Sequence, residues 1–181
     1  EPKSIPLFLE RIRANQSDII SGSRYMNMEI GIGSPPADRR SINMQITEEL
    51  NKRLGMRLTD SFCGFKAFRV SRVADMPLTE DGYAFPMQFW VQAVAMGLRI
   101  EELPVKLIYN DPNRSFGAAL NDPTTRLNHY RQVLDHEIER WHQRLPATAT
   151  VGIPSLASTC SRRSCGCCLL YTSDAADEGL G

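Results

Sequence analysis

Two arginine sites flank one loop near the start of the chain. Gly22-Ser23-Arg24-Tyr25 follows an apolar pair, and Arg39-Arg40 stands at the predicted start of a helix. A guanidinium keeps its charge and presents a planar fork of N–H donors, while a helix start adds N–H groups and the positive end of the helix dipole. Together they would suit a phosphate. The alternative is an ordinary turn with solvated surface arginines.

The composition narrows the classes of protein. The 181 residues are 42% hydrophobic and 23% charged, which is typical of one soluble globular domain. The 21 basic and 21 acidic side chains cancel, so we expect no nucleic-acid partner. No apolar run is long enough for a transmembrane segment, and the first residues show no signal peptide, so we expect a cytoplasmic protein. The missing initiator Met indicates a piece of a longer protein.

Hydrophobic spacing and turn residues predict an α/β order of elements that would position these residues. A helix over residues 4–14 precedes a strand over 18–21. A second helix, entered at Ser34 or Asp38, ends at Gly55. The further predictions are a strand over 64–70, a buried helix over 83–96, an edge or interrupted strand over 99–109 around Pro104, and a long helix from Asp122-Pro123 to Pro146.

Beyond Pro146 the sequence has no amphipathic pattern, and we assign no fold to residues 146–181. The final run resembles a translated sequencing-adapter tail. The four cysteines of this segment could bind zinc or form disulfides, but their spacing fits no paired C-x-x-C template, so we expect no metal site; they are Cys160, Cys165, Cys167 and Cys168. The three histidines of the long helix lack the i, i+4 spacing of a metal pair and are expected at the surface.

Several short motifs follow one another in a recognisable order. They are Gly22-Ser23-Arg24-Tyr25, Arg39-Arg40, Asp60-Ser61-Phe62-Cys63-Gly64-Phe65, Gly82-Tyr83, Glu102-Leu103-Pro104 and Arg114. This order resembles the family 2 glycosyltransferases, in particular the polyprenyl-phosphate and dolichyl-phosphate mannose synthase group. The resemblance covers residues 18–117 and implies a Rossmann-like GT-A fold, with an acceptor-side part over 1–120, an amphipathic C-terminal helix over 121–145 and an unstructured tail.

The reaction implied by the resemblance is transfer of a hexosyl group from a nucleotide sugar, of the GDP-mannose or UDP-glucose type, to a lipid-phosphate or saccharide acceptor, with inversion. An acceptor phosphate is already anionic at neutral pH, so positioning matters more than a strong base. By resemblance, the acceptor phosphate is bound by Ser23, Arg24, Arg39, Asn43 and Arg114. Because a polyprenol acceptor lies in a membrane, the resemblance also allows an alternative location, in which the protein is bound peripherally at the inner face of the membrane.

Asp60 is the catalytic candidate by resemblance, because the family's matching Asp lies beside the donor sugar and metal. Gly64 and Gln88 fall in the same donor-sugar vicinity. Cys63 replaces a family Ser or Thr, Gln88 a Glu, and Asn43 a Ser. We expect Gln88 and Gln92, one helical turn apart, to turn a polar edge toward the site.

The family's donor half is not recognisable in this sequence. No Asp-x-Asp pair occurs that could hold the Mg²⁺ or Mn²⁺ of the full-length enzyme. We therefore expect an N-terminally truncated, inactive fragment that binds neither metal nor nucleotide sugar. The rival hypothesis is a non-catalytic α/β module that binds an anionic ligand through Arg24, Arg39 and Arg114.

Overall fold

A computed structural model describes residues 2–27, 35–108 and 115–156 of the chain. Arg114, Ser34 and the four clustered cysteines lie outside the described residues, so the predictions made for them stay predictions. The described residues form a mixed α/β structure built around a small three-stranded sheet.

The sheet has β1 (Ile19–Ser23) at its centre, β2 (Lys66–Phe68) on one side and β3 (Ile100–Pro104) on the other. β2 runs antiparallel to β1, and β3 runs parallel to it with Ile19 opposite Ile100 and Ser23 opposite Pro104. All five residues of β1 are buried. All three strands were predicted. β3 is an edge strand of this sheet and ends at Pro104, which has no N–H for a ladder bond.

The second strand is shorter than the predicted 64–70 because the chain turns into a helix at Val70. The helices are α1 (Ile5–Arg13), α2 (Ala37–Leu54), α3 (Val70–Val73), α4 (Phe85–Ala95) and α5 (Pro123–Trp141). Gly55 ends α2 with φ 68°, a left-handed conformation that glycine adopts without strain. No helix of the described residues is long and apolar enough to cross a membrane.

The predicted N-cap of α2 at Asp38 is wrong. Pro36 holds the cap position and Asp38 lies inside the first turn. The ring of Pro36 fixes an extended entry into the helix, and the Asp38 carboxylate is used instead in an ion pair with Arg126. At α5 the predicted cap is confirmed, because the Asp122 carboxylate accepts a hydrogen bond from the backbone N–H of Thr125 at 2.7 Å.

The main core lies where α4 packs between the sheet and α5. Met87, Trp90 and Val91 of α4 are fully buried, as are Leu134 and Ile138 of α5. The Trp90 indole N–H donates to the backbone oxygen of Ser61 at 2.9 Å, which ties the loop after α2 to this core. The prediction of a buried helix here is confirmed, and its packing fixes the loop that carries Asp60.

The chain beyond Pro146 does not follow the expectation of an unstructured tail up to residue 156. Residues Ala147–Thr150 form a 3-10 turn, and both Ala149 and Ile153 are buried in the main core. Arg53 of α2 donates to the backbone oxygen of Ala149 at 3.2 Å. The prediction is wrong for this stretch because a turn that buries single apolar residues carries no helical or strand period.

A cluster of ions fixes the beginning of β1. The buried Asp18 carboxylate accepts two side-chain hydrogen bonds from Arg99, at 3.1 Å each, and lies near Arg69 and Arg72. The Arg99 bonds outweigh the effect of burial and lower the pKa of Asp18 to about 2. The cluster joins the beginnings of β1 and β3, and it helps to fix the position of β1 and of Arg24, which follows it.

Candidate functional site

One cavity of about 350 Å³ lies between the loop after β1, the start of α2, the entrance to α4 and the start of α5. Three of its lining residues are arginines and six are aromatic: Arg24, Arg39, Arg126, Tyr25, Phe62, Tyr83, Phe85, Phe116 and Tyr130. A cavity with cationic groups on an aromatic wall suits a ligand that combines an anionic head with an apolar body.

Arg24 is held at the cavity wall by Asp60. Its Nε and Nη2 donate to the two Asp60 carboxylate oxygens at 2.6 and 2.9 Å, and its backbone N–H donates to Oδ2 at 3.1 Å. This bidentate pair fixes the plane of the guanidinium. Burial would lower the pKa of Arg24, but the Asp60 bonds and charge more than offset it and raise the pKa. Arg24 is therefore a permanent, oriented cation.

Asp60 itself is completely buried and its oxygens are fully used. Besides Arg24, its Oδ1 accepts from the Asn43 amide at 2.9 Å and from the backbone N–H of Phe62 at 3.3 Å. Burial would raise the pKa of Asp60, but the Arg24 and Asn43 hydrogen bonds and the Arg24 charge hold it below its ordinary value. In this structure Asp60 does not line the cavity; it positions Arg24.

A second carboxylate supports the loop of Asp60. Glu102 of β3 accepts hydrogen bonds from the backbone and hydroxyl of Thr59 at 2.7 and 2.9 Å, and from the backbone N–H of Asp60 at 3.1 Å. Burial raises the pKa of Glu102 despite these bonds. The Glu102-Leu103-Pro104, Asp60 and Arg24 motifs are thus joined in one network. The motifs are visible in the sequence, but the hydrogen bonds that connect them are not.

Two predicted phosphate ligands are engaged elsewhere. The Ser23 side chain is buried and absent from the cavity wall; it shares a hydrogen bond with the Thr59 hydroxyl and accepts from the backbone N–H groups of Tyr25 and Met26 at 3.3 and 3.1 Å. It shapes the turn that follows β1. Asn43 lines the cavity, but its amide donates to Asp60. A direct phosphate contact from Ser23 does not fit this geometry.

Arg39 and Arg126 both lie against the ring of Phe116. Their guanidinium carbons are 4.6 and 4.3 Å from its centroid, and the rings of Tyr83 and Phe116 pack in a T-shaped pair with centroids 4.8 Å apart. Arg39 was predicted at this site, whereas Arg126 was missed. The signal was present, since Arg126 stands four residues before the buried Tyr130 and so shares its helix face.

The expected polar edge from α4 faces away from this cavity. Gln88 and Gln92 donate to the two Glu137 carboxylate oxygens at 3.0 and 2.8 Å, and the Trp141 indole adds a bond at 2.8 Å. Glu137 is almost fully buried. Gln88 does not line this cavity, because its side chain completes a hydrogen-bond network in the core. Its place near the donor sugar stays a prediction.

Gly64 lies at the cavity wall, whereas its neighbour Cys63 does not. Gly64 lines the cavity, with open space where a Cβ would stand. Cys63 is buried beside it, and burial raises the pKa of its thiol.

The described residues contain no group of three His, Cys, Asp or Glu side chains that could hold a metal ion, and the Asp60 oxygens are occupied by nitrogen donors. A catalytic metal therefore does not fit at Asp60 in this arrangement.

No protein-family model matches the chain. Comparison with curated proteins finds two relatives, and the names of both are those of glycosyltransferases. One relative is an undecaprenyl-phosphate mannosyltransferase of Micrococcus luteus, 27% identical over 118 residues, which cover 64% of this chain and 47% of the relative. The other is a low-salt glycan biosynthesis hexosyltransferase of Haloferax volcanii, 25% identical over 103 residues, which cover 57% of this chain and 25% of that protein. The chain thus spans half or less of each relative.

Proposed function

We propose that this chain supplies the acceptor side of a GT-A, family 2 glycosyltransferase that moves a hexosyl group from a nucleotide sugar to a polyprenyl phosphate. The observation that carries the proposal is the cavity in which Arg24 and Arg39 stand among aromatic side chains. Phosphate requires fixed cationic donors, and an isoprenoid chain requires an apolar wall. The cavity provides both within one space.

The bond changes need little acid or base chemistry from the chain. A phosphate oxygen of the acceptor attacks the anomeric carbon of the donor hexose as the bond to the nucleotide diphosphate breaks, and the diphosphate leaves with its electron pair. Because the attacking oxygen is already anionic, the protein's task is to hold the phosphate in line. Arg24, fixed by Asp60, and Arg39 would do this. Arg114 remains a predicted third ligand.

The nucleotide sugar and its Mg²⁺ or Mn²⁺ belong, in this proposal, to a part of the enzyme outside these residues. The described residues hold no group of three His, Cys, Asp or Glu side chains that could bind a metal ion. The rival anion-binding module uses the same cavity without any transfer. The two proposals differ in whether a hexose becomes attached to the bound phosphate.

Transfer is tested with the protein encoded by the complete reading frame. Incubation with radiolabelled GDP-mannose or UDP-glucose and undecaprenyl phosphate should give lipid-extractable label. Arg39→Gln should reduce the label at least about ten-fold, since one charge-assisted hydrogen bond is worth about 1.5–3 kcal/mol.

Arg13→Gln is the matched control, because Arg13 is an exposed cation at the end of α1. It should leave the amount of label unchanged. Protein that binds isoprenyl phosphate but yields no lipid-linked label with either donor would contradict the enzyme and favour the binding module.

A further inference from the structure

Arg126 is a buried cation at the cavity wall that no motif singled out. Its side chain is only 2% exposed, yet it lines the same cavity as Arg24 and Arg39. Nη1 donates to the backbone oxygen of Leu120 at 2.8 Å and Nη2 donates to Asp38 Oδ2 at 2.8 Å. A guanidinium has five N–H groups, and these two bonds use one on each terminal nitrogen.

The counter-ions of Arg24 and Arg126 differ in burial. Asp60 is wholly buried beside Arg24, so its charge acts on the guanidinium through a poorly screening interior. The Asp38 side chain is 41% exposed, so solvent screens much of its effect on Arg126. Arg24 and Arg126 each have one carboxylate partner, but the charge of Arg126 is offset less, so its positive field in the cavity is stronger.

Phe116 links Arg126 to Arg39. Both guanidinium carbons lie within 4.6 Å of its ring centroid, which places two cations beside one apolar surface. Two guanidinium groups that line one cavity attract an anion, and a phosphate monoester approaches two negative charges at neutral pH. The arrangement suits one phosphate contacted from α2 and from α5.

We propose that Arg126 is a further phosphate-positioning residue of the cavity and that Asp38 competes with the ligand phosphate for its guanidinium. The proposal rests on the phosphate-binding part of the proposed function. The ordinary alternative is that Arg126 only ties α5 to α2 and to the turn at Leu120. Removal of the Asp38 charge should tighten phosphate binding if Arg126 positions the phosphate, and should leave it unchanged or weaken it if Arg126 is only structural.

The test is calorimetric titration of the 181-residue chain with geranyl phosphate, geraniol and inorganic pyrophosphate. Asp38→Asn should raise the affinity for geranyl phosphate about three-fold, because a screened competing charge is removed. Arg126→Met should lower it about ten-fold while leaving geraniol binding unchanged. Asp135→Asn is the matched control, since Asp135 is a similarly exposed partner of an arginine far from the cavity wall, and it should change neither affinity.

The outcomes separate the accounts. Unchanged or weaker geranyl phosphate binding in Asp38→Asn overturns the role of Arg126, even where Arg126→Met fails to fold. Equal losses for geranyl phosphate and geraniol in Arg126→Met also overturn it. Pyrophosphate binding that depends on Arg126, without any binding of geranyl phosphate, would retain the anion site and contradict the lipid acceptor. No binding of either phosphate by the wild type would contradict both proposals.

Discussion

Asp60→Asn should destabilise the chain by about 3 kcal/mol at pH 7, the lower end of the cost of breaking a buried ion pair. The Asp60 side chain is fully buried and receives two side-chain hydrogen bonds from Arg24 and one from Asn43. An asparagine keeps the shape but turns an amide toward donors, leaving the Arg24 charge without its partner. Urea unfolding of the two proteins measures the difference in the free energy of unfolding.

The effect should also depend on pH. The folded-state pKa of Asp60 is lowered, so its stabilisation is complete above the ordinary carboxyl pKa of about 4 and is lost as the pH falls through the folded value. The gap between wild type and Asp60→Asn should therefore begin to narrow below about pH 4 and close as the pH falls through the folded value. Asp75→Asn, at an exposed position after α3, is the control and should change little. Equal unfolding midpoints for wild type and Asp60→Asn at pH 7 would refute the Arg24 and Asp60 pairing.

Gln88→Glu should cost about 3 kcal/mol at pH 7, although it installs the residue expected at this position from the resemblance. Gln88 donates to the buried Glu137 carboxylate at 3.0 Å, so a glutamate would place two carboxylates side by side in the core. The backbone N–H groups of Thr79 and Glu80 would still bond to the new side chain, which limits the loss. Urea unfolding across pH checks this result.

Acid should relieve this cost. Protonation of the introduced glutamate removes the repulsion, so the penalty should be absent below about pH 4 and should grow as the pH rises. The double variant Gln88→Glu/Glu137→Gln exchanges the amide and the carboxylate and should recover most of the stability. A single variant as stable as wild type at neutral pH would show that Gln88 and Glu137 do not share a hydrogen bond.

The sequence predicted the order of the elements well, because hydrophobic period and turn residues are local signals. Helix α2 ends at Gly55, and α5 begins behind its Asp122 cap, as expected. Residues 147–156 were misjudged, since Ala149 and Ile153 are buried singly from an irregular stretch. Such isolated burial depends on contacts with distant parts of the chain and leaves no hydrophobic period in the sequence.

At the site, the sequence predicted residues better than their roles. Arg24 and Arg39, which were predicted to bind phosphate, line the cavity, whereas Ser23 and Asp60 lie behind its wall, where they shape the turn and hold Arg24. The helix spacing places Arg126 on the face of the buried Tyr130, but it does not show the pairing with Asp38, which is 88 residues away in sequence. Pairings of this range follow from the packing of α5 on α2, which residue spacing does not encode.

We propose that the cavity lined by arginines and aromatic rings binds an isoprenyl phosphate through its phosphate group. The decisive experiment is calorimetric titration of the wild-type chain and Arg39→Gln with geranyl phosphate and with geraniol. We expect the wild type to bind geranyl phosphate well above geraniol, and Arg39→Gln to lose about ten-fold in affinity for the phosphate alone. Equal affinities for phosphate and alcohol in the wild type, or an Arg39→Gln variant that binds geranyl phosphate as tightly as wild type, would contradict the account.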